Sequence, residues 1–549
     1  MYTDQLGQPA TENSSPARLF NKSDLTRVLL VSVLLSLPFL NKAFHIDDPV
    51  VLQCAKRILL NPLDPLGGEF DWFGVAMPFW QVTTNPPLLS YYLAPLVWIF
   101  GYSEIILHLS MMPFLAGILA GCLALSRRFC EPLQWLPVLM IATSSAVLVS
   151  SNVMRDIPAL ALICVGLAVG IQGLDTGRSL LLSVGSLLLG LAAVTKYSAG
   201  VAVVILVLYA LMSKRKIAVL PLLPSILPLG IWCGWTWLVY GEAHPWFLLL
   251  GKHSAGSFST ADKFFSLLVT LGSVCLLAPL IAWRIQEVKR RAKSLVLGGT
   301  FVLALAAWWY HAGEASSQNV TWTVVGSFSL LGVLVVGLVP GPGRRLPDRD
   351  SMFLLCWSLV FFAFSVSLVP FQAVRHVLGG LVPAVLLCFR TGREISATAR
   401  KGLLLLVGVQ LLLALSVAWS DMEYANVYRD LARDVSQRHP EKEIWFLGQW
   451  GWHFYAEQAG FRQMHGHGAA PGSGSLLVWP KRVSVGRVSA ENREFLERLR
   501  LIETRDVHST LPIQTMSFPE ASFYAVIRRT VPFVFSREPI ETLRVYRVE

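Results

Sequence analysis

The chain has 549 residues, 54% of them hydrophobic and only 15% charged, a balance in which a water-soluble protein could not cover its own surface. Its formal charge of +11 sits mainly in short loops between apolar runs, which argues against a nucleic-acid partner and fits membrane topology. Of eight cysteines, all but Cys54 lie in or beside apolar runs, so no disulfide framework is implied.

In chain order, residues 1–24 form a polar, aperiodic N-terminus expected to be disordered and cytoplasmic. The apolar run 25–44 follows Lys22, contains Arg27 and lacks a small-x-small cleavage pattern, so it reads as a retained signal anchor. Hydropathy places spans near residues 26–44, 104–126, 132–151, 157–174, 179–195, 198–213, 217–240, 264–284, 294–311, 320–340, 351–370, 376–390 and 402–420. Each run approaches the roughly 20 residues that cross a bilayer of about 30 Å, which gives about thirteen crossings. The run 86–100 opens with two prolines and contains a third, and is assigned to an interfacial helix.

With the N-terminus inside, Lys and Arg accumulate in alternate loops: Arg127 with Arg128, Arg178, Lys214 with Arg215 and Lys216, residues 284–293, Arg344 with Arg345 and Arg349, and residues 390–401. The expected organisation is therefore a mainly α, polytopic membrane domain over 25–420 with a long first outer loop, 45–103. From 421 to 549 charges return and apolar runs shorten to strand length. This reads as a separate, soluble extracytoplasmic α/β domain, with strands at 443–448, 475–479 and 522–527 and a helix at 450–460.

The first outer loop opens with His45-Ile46-Asp47-Asp48-Pro49, two adjacent carboxylates directly after a span, where an uncompensated charge is costly. One Asp can cap the helix that begins at Pro49, and the other stays free to act. Thr83-Thr84-Asn85-Pro86-Pro87-Leu88 reads as a proline turn into the interfacial helix, with Tyr91 and Tyr92 at headgroup level. A short second outer loop, Asn152-Val153-Met154-Arg155-Asp156-Ile157-Pro158, brings Asp156 to the membrane surface, as a helix cap or as a site residue. Lys196 ends a span on the same side, where it either snorkels or meets a partner. The loop 241–263 carries His244, Lys252 and His253 without metal-ligand spacing. Arg375 and His376 stand at the outer mouth of a late span, where the positive-inside rule makes an arginine unexpected and an anionic partner the better explanation. Asp47, Asp48 and Asp156 with Lys196 and Arg375 suit a site that activates a hydroxyl and neutralises a phosphate.

This pattern of acidic pair, proline turn and Asp after the third span resembles the GT-C superfamily of polyprenyl-phosphate-sugar glycosyltransferases, which includes protein O-mannosyltransferases and bacterial lipid A aminoarabinose transferases. The likeness spans roughly residues 25–420 in topology and only short motifs by residue. It implies that the carboxylate of Asp48 or Asp47 activates an acceptor, that Asp156 matches the family's second-loop Asp, and that Arg375-His376 with Pro383 stands for its Arg-Tyr and Pro signature. The tail segments Tyr424-Ala425-Asn426-Val427-Tyr428-Arg429 and Trp445-Phe446-Leu447-Gly448-Gln449-Trp450-Gly451 are similar to bacterial members. Where the aminoarabinose transferases carry an acidic residue and Lys before the proline, this chain has Thr84-Asn85. A divalent metal is therefore not supported, although His253 lies where those enzymes carry a histidine, and no cofactor is established.

The function so implied moves a sugar from a polyprenyl-phosphate donor to a hydroxyl of a lipid, glycan or protein on the outer face of a bacterial inner membrane. It proceeds by inverting displacement with an Asp base, and Asp156, Lys196, Arg375, His376, Asn85 and His253 bind substrate. Two rivals share the hydropathy. A lipid or solute transporter would place charges near the bilayer midplane, and an oligosaccharide ligase would take a diphosphate-linked donor.

Overall fold

A computed structural model describes residues 21–549 except 73, 131–132, 214–218, 251–257, 287–289, 312–315, 341–345, 391–394, 465–470, 484–494, 496–498 and 528. The expected disorder of the N-terminus falls almost wholly outside these residues. The described chain is mainly helical, and six helices are long and apolar enough to cross a membrane: Glu104–Phe129, Asp156–Thr176, Arg290–Tyr310, Ser317–Leu338, Arg349–Ser367 and Ala397–Arg438. A seventh arises if Thr260–Ser273 and Leu277–Ile285, bent by 81° at their junction, count as one span.

The other expected crossings correspond to shorter or broken apolar helices. The run 132–151 divides into Trp135–Ala142 and Ser145–Val149, because Ser144 turns extended and caps the second piece by accepting from the Val147 N–H. Pro221, Pro224 and Pro228 divide 217–240 into a 3-10 segment, Leu220–Ser225, and the helix Leu227–Tyr240. Where helices cross most closely, small residues allow it: a Cβ on Gly272 would lie 2.1 Å from the Trp322 carbonyl oxygen, and one on Gly326 only 1.7 Å from that of Leu268. At the end of the bundle away from the acidic pair, Arg128 bonds Asp175 at 2.6 Å and Asp350 at 3.0 Å, and Arg390 bonds Asp348 at 2.8 Å. These pairs fasten four helix ends.

The first outer loop contains two helices that pack on one another, Asp48–Leu60 and Leu88–Phe100, and the Ser90 hydroxyl donates to the Val51 carbonyl at 2.9 Å. The last long helix runs unbroken from Ala397 to Arg438, past residue 420 where hydropathy changes. It thus joins the membrane bundle to the C-terminal region as one rod. That region carries a five-stranded mixed sheet in the order Arg462–Gln463, Ile444–Phe446, Leu476–Pro480, Glu541–Val548, Leu499–Val507, with the helix Gly451–Gln458 beside it. The strand expected at 522–527 reduces to the bridge-length Ala521–Ser522 and an isolated pairing of Val526 with Gln372. Val374 N–H also donates to the Phe523 carbonyl at 3.2 Å, so the C-terminal region grips the segment that bears Arg375.

Candidate active site

Asp47 occupies the cap position of the helix Asp48–Leu60, yet its carboxylate makes no capping hydrogen bond. Instead Asp47 Oδ2 accepts from Arg375 Nη2 at 3.1 Å. Arg375 Nε lies 3.9 Å from Asp156 Oδ2, and the other oxygen of Asp156 accepts from Lys196 Nζ. Four residues from segments up to 328 positions apart thus form one chain of alternating charge. Lys196 does not snorkel; it is turned inward on Asp156, both nearly buried.

Asp156, Lys196, Arg375 and His376 line a cleft whose remaining walls are largely apolar, among them Leu160, Ile163, Phe361, Phe364 and Leu378. A polar head on an apolar groove suits an anionic group attached to a hydrocarbon chain. The cleft holds about 40 Å³, room for a few waters. His376 donates from Nδ1 to the Phe371 carbonyl at 3.2 Å, which leaves Nε2 for the cleft.

The two members of the acidic pair are not equivalent. Asp47 keeps 37% of its side chain exposed. Asp48 is fully buried, accepts from the His45 N–H at 2.7 Å through Oδ2, and has no partner for Oδ1 among the described residues. Burial pushes its carboxyl up to about 8, with only partial relief from the His45 N–H and Lys42, so it is neutral at pH 7. Their divergence begins at Ile46, whose φ of +46° is strained for a β-branched residue. That turn sends Asp47 to Arg375, which lines the cleft, and Asp48 into the protein.

Behind Asp48 lies a polar cluster that the sequence did not announce. Lys42 Nζ donates at 2.6 Å to both Asn152 Oδ1 and Asp421 Oδ2. Tyr524 O–H donates to Asp421 Oδ2 at 2.6 Å and accepts from Asn152 Nδ2 at 2.8 Å, while Thr515 donates to Asp421 Oδ1 at 2.8 Å. The Tyr524 ring also meets the His45 ring edge-on at 5.1 Å between centroids. One stretch of the C-terminal region therefore braces three of the four segments that carry the site: the acidic-pair loop, the Asp156 loop and, through Val374, the Arg375 turn. Lys42 sits at the end of an apolar run and Asp421 at the end of another, positions that read in sequence as helix boundaries.

Asn85 lies apart from the ion-pair chain; its amide donates to Thr84 Oγ1 at 3.1 Å, and Thr83 Oγ1 donates to its carbonyl at 3.2 Å. His253 lies outside the described residues. His244 serves as a staple, with Nδ1 2.7 Å from the Tyr197 hydroxyl and Nε2 3.0 and 3.1 Å from the carbonyl oxygens of Trp80 and Thr83. It ties the proline turn to the residue that follows Lys196.

No family model matches the chain, and no curated protein matches it. Among solved structures it is similar to ArnT from Cupriavidus metallidurans bound to undecaprenyl phosphate, with a TM-score of 0.42 and 12% identity over 96% of this chain and 98% of that one. It is also similar to the mycobacterial arabinofuranosyltransferase AftD, with a TM-score of 0.44 and 10% identity over 96% of this chain and 40% of that one. A mutant form of AftD gives a TM-score of 0.41 and 12% identity over 96% of this chain, which spans 42% of that protein. Likenesses of this degree carry no chemistry to this chain, whose side chains must supply it.

Proposed function

We propose that the protein is a membrane glycosyltransferase of the GT-C type, moving a sugar from a polyprenyl-phosphate carrier to an acceptor hydroxyl on the non-cytoplasmic face. The observation that carries this reading is the ion-pair chain Asp47, Arg375, Asp156, Lys196, whose last three members line an apolar-walled cleft. The alternation of Lys and Arg between loops supports the outward placement.

In this reading the isoprenoid lies against the apolar wall and its phosphate is held by Arg375 and Lys196. Asp47, the accessible carboxylate, takes the proton of the acceptor hydroxyl. The acceptor oxygen forms a bond to the anomeric carbon as the bond from that carbon to the phosphate oxygen breaks, and the electron pair leaves on the phosphate. The cations stabilise that departing charge, so no general acid is required. Single displacement inverts the anomeric centre. Asp156 is a positioning residue that holds Lys196 and Arg375 together. Asp48, neutral and enclosed, supports the loop.

The test is turnover of a radiolabelled polyprenyl-phosphate sugar by detergent-purified protein. Wild type should release or transfer the label, whereas Asp47→Asn should lose at least about 100-fold, the scale of a general base. Retained turnover in Asp47→Asn refutes the assignment of the base, and absence of turnover and of donor binding in wild type refutes the function.

A further inference from the structure

Within the ion-pair chain, every charge is spoken for. Arg375 faces Asp47, Lys196 faces Asp156, and two cations against two carboxylates leave a neutral assembly. A neutral cluster has no surplus with which to attract an anion. One further cation lies beside it. Arg155 directly precedes Asp156, is 6% exposed, and neither its Nε nor its Nη2 finds a hydrogen-bond partner among the described residues. The charged carboxylates that act on it are Asp47 and Asp156. Arg375 Nη1 is likewise buried and unpartnered.

A guanidinium enclosed in protein without hydrogen bonds is costly, because its N–H groups have given up water for nothing. Such a group persists where a ligand completes it. The unmet donors here are planar, forked N–H groups, the geometry that matches two oxygens of a phosphate.

Resting on the proposed function, we propose that Arg155 is a phosphate-binding residue of the donor site, and supplies the single uncompensated positive charge that makes the cluster an anion site. With Arg155 counted, the site carries one net positive charge, which the single negative charge of a sugar phosphodiester cancels. As transfer proceeds, the acceptor proton neutralises Asp47 while the product phosphate gains one negative charge, so the site and its occupant remain balanced throughout.

The experiment uses the full chain in detergent, titrated with farnesyl phosphate and, as the uncharged control, farnesol, for wild type, Arg155→Gln and Arg155→Lys. Wild type should bind the phosphate in preference to the alcohol. Arg155→Gln should weaken phosphate binding by about 10- to 100-fold, the loss expected for charge-assisted hydrogen bonds, and leave farnesol unaffected. The ligand-free unfolding temperature of Arg155→Gln should equal or exceed that of wild type, because the variant removes an unpaired buried charge. A structural arginine would give the opposite pair of results: a lower ligand-free unfolding temperature with unchanged affinity, which overturns the proposal. Arg155→Lys keeps the charge without the fork and should bind the phosphate more weakly than wild type; equal binding overturns the forked contact even if Arg155→Gln does not fold. Wild type that fails to discriminate phosphate from alcohol refutes the donor reading itself, whereas discrimination that survives in Arg155→Gln refutes only the role of Arg155.

Discussion

Replacing Asp48 by Asn separates the two carboxylates that adjacent sequence positions make look alike. Asp48 is enclosed, and burial lifts its carboxyl from an ordinary 3.8 to about 8. Since the folded value lies above the unfolded one, the protonated group's contribution is fully present below pH 3.8 and drains away as pH rises to about 8. Between pH 4 and pH 7, about three units at about 1.4 kcal/mol each, the wild type should lose about 4 kcal/mol that the Asn variant keeps. Asn has the shape of the neutral acid, can still accept from the His45 N–H, and places an amide where Oδ1 has no partner. With an unfolding entropy of about 2.1 cal/mol/K per residue, 4 kcal/mol spread over a chain of this length is a shift of about 3–4 °C. Thermal unfolding of purified wild type and Asp48→Asn at pH 5, 6, 7 and 8 should show the variant gaining on wild type at each step. Sugar transfer by Asp48→Asn should stay within a few-fold of wild type. A difference in unfolding temperature that ignores pH, or a well-folded Asp48→Asn as inactive as Asp47→Asn, would show that Asp48 is ionised and accessible, and the division of labour drawn here would be wrong.

Two further outcomes concern the bracing of the site by the C-terminal region. Asp421→Asn leaves Lys42 buried without its counter-charge and should destabilise the protein by about 3–5 kcal/mol, whereas Lys42→Met with Asp421→Leu should recover most of that loss; denaturant unfolding of both variants decides it, and a mild effect of the single change would mean the pair is not enclosed. Gly451→Ala places a Cβ 2.2 Å from the Phe44 carbonyl oxygen, next to the acidic-pair loop. It should destabilise by about 1–3 kcal/mol and depress transfer, because either the helix Gly451–Gln458 or the loop must shift; wild-type turnover in this variant would show that the contact does not position Asp47.

The amino-acid sequence by itself determined the membrane character, since runs of apolar residues near twenty long leave no alternative to helices in lipid. It also marked which polar residues are out of place at the membrane boundary, and four of them, Asp47, Asp156, Lys196 and Arg375, meet in one cluster. Hydropathy is blind to breaks inside apolar runs, so the divided helices at 132–151 and 264–284 were invisible to it. The strand Glu541–Val548 alternates inward Leu543 and Val545 with the more exposed Arg544 and Tyr546, a period-2 signal that dense charge obscured.

Tertiary structure alone decided which aspartate stays exposed and which is enclosed. One backbone turn at Ile46 separates the environments of two neighbouring residues, and no composition or spacing encodes a dielectric. Likewise Lys42 and Asp421, 379 positions apart, acquire their meaning only as a buried pair, because the strength of a charge depends on how much water the rest of the chain has removed from around it.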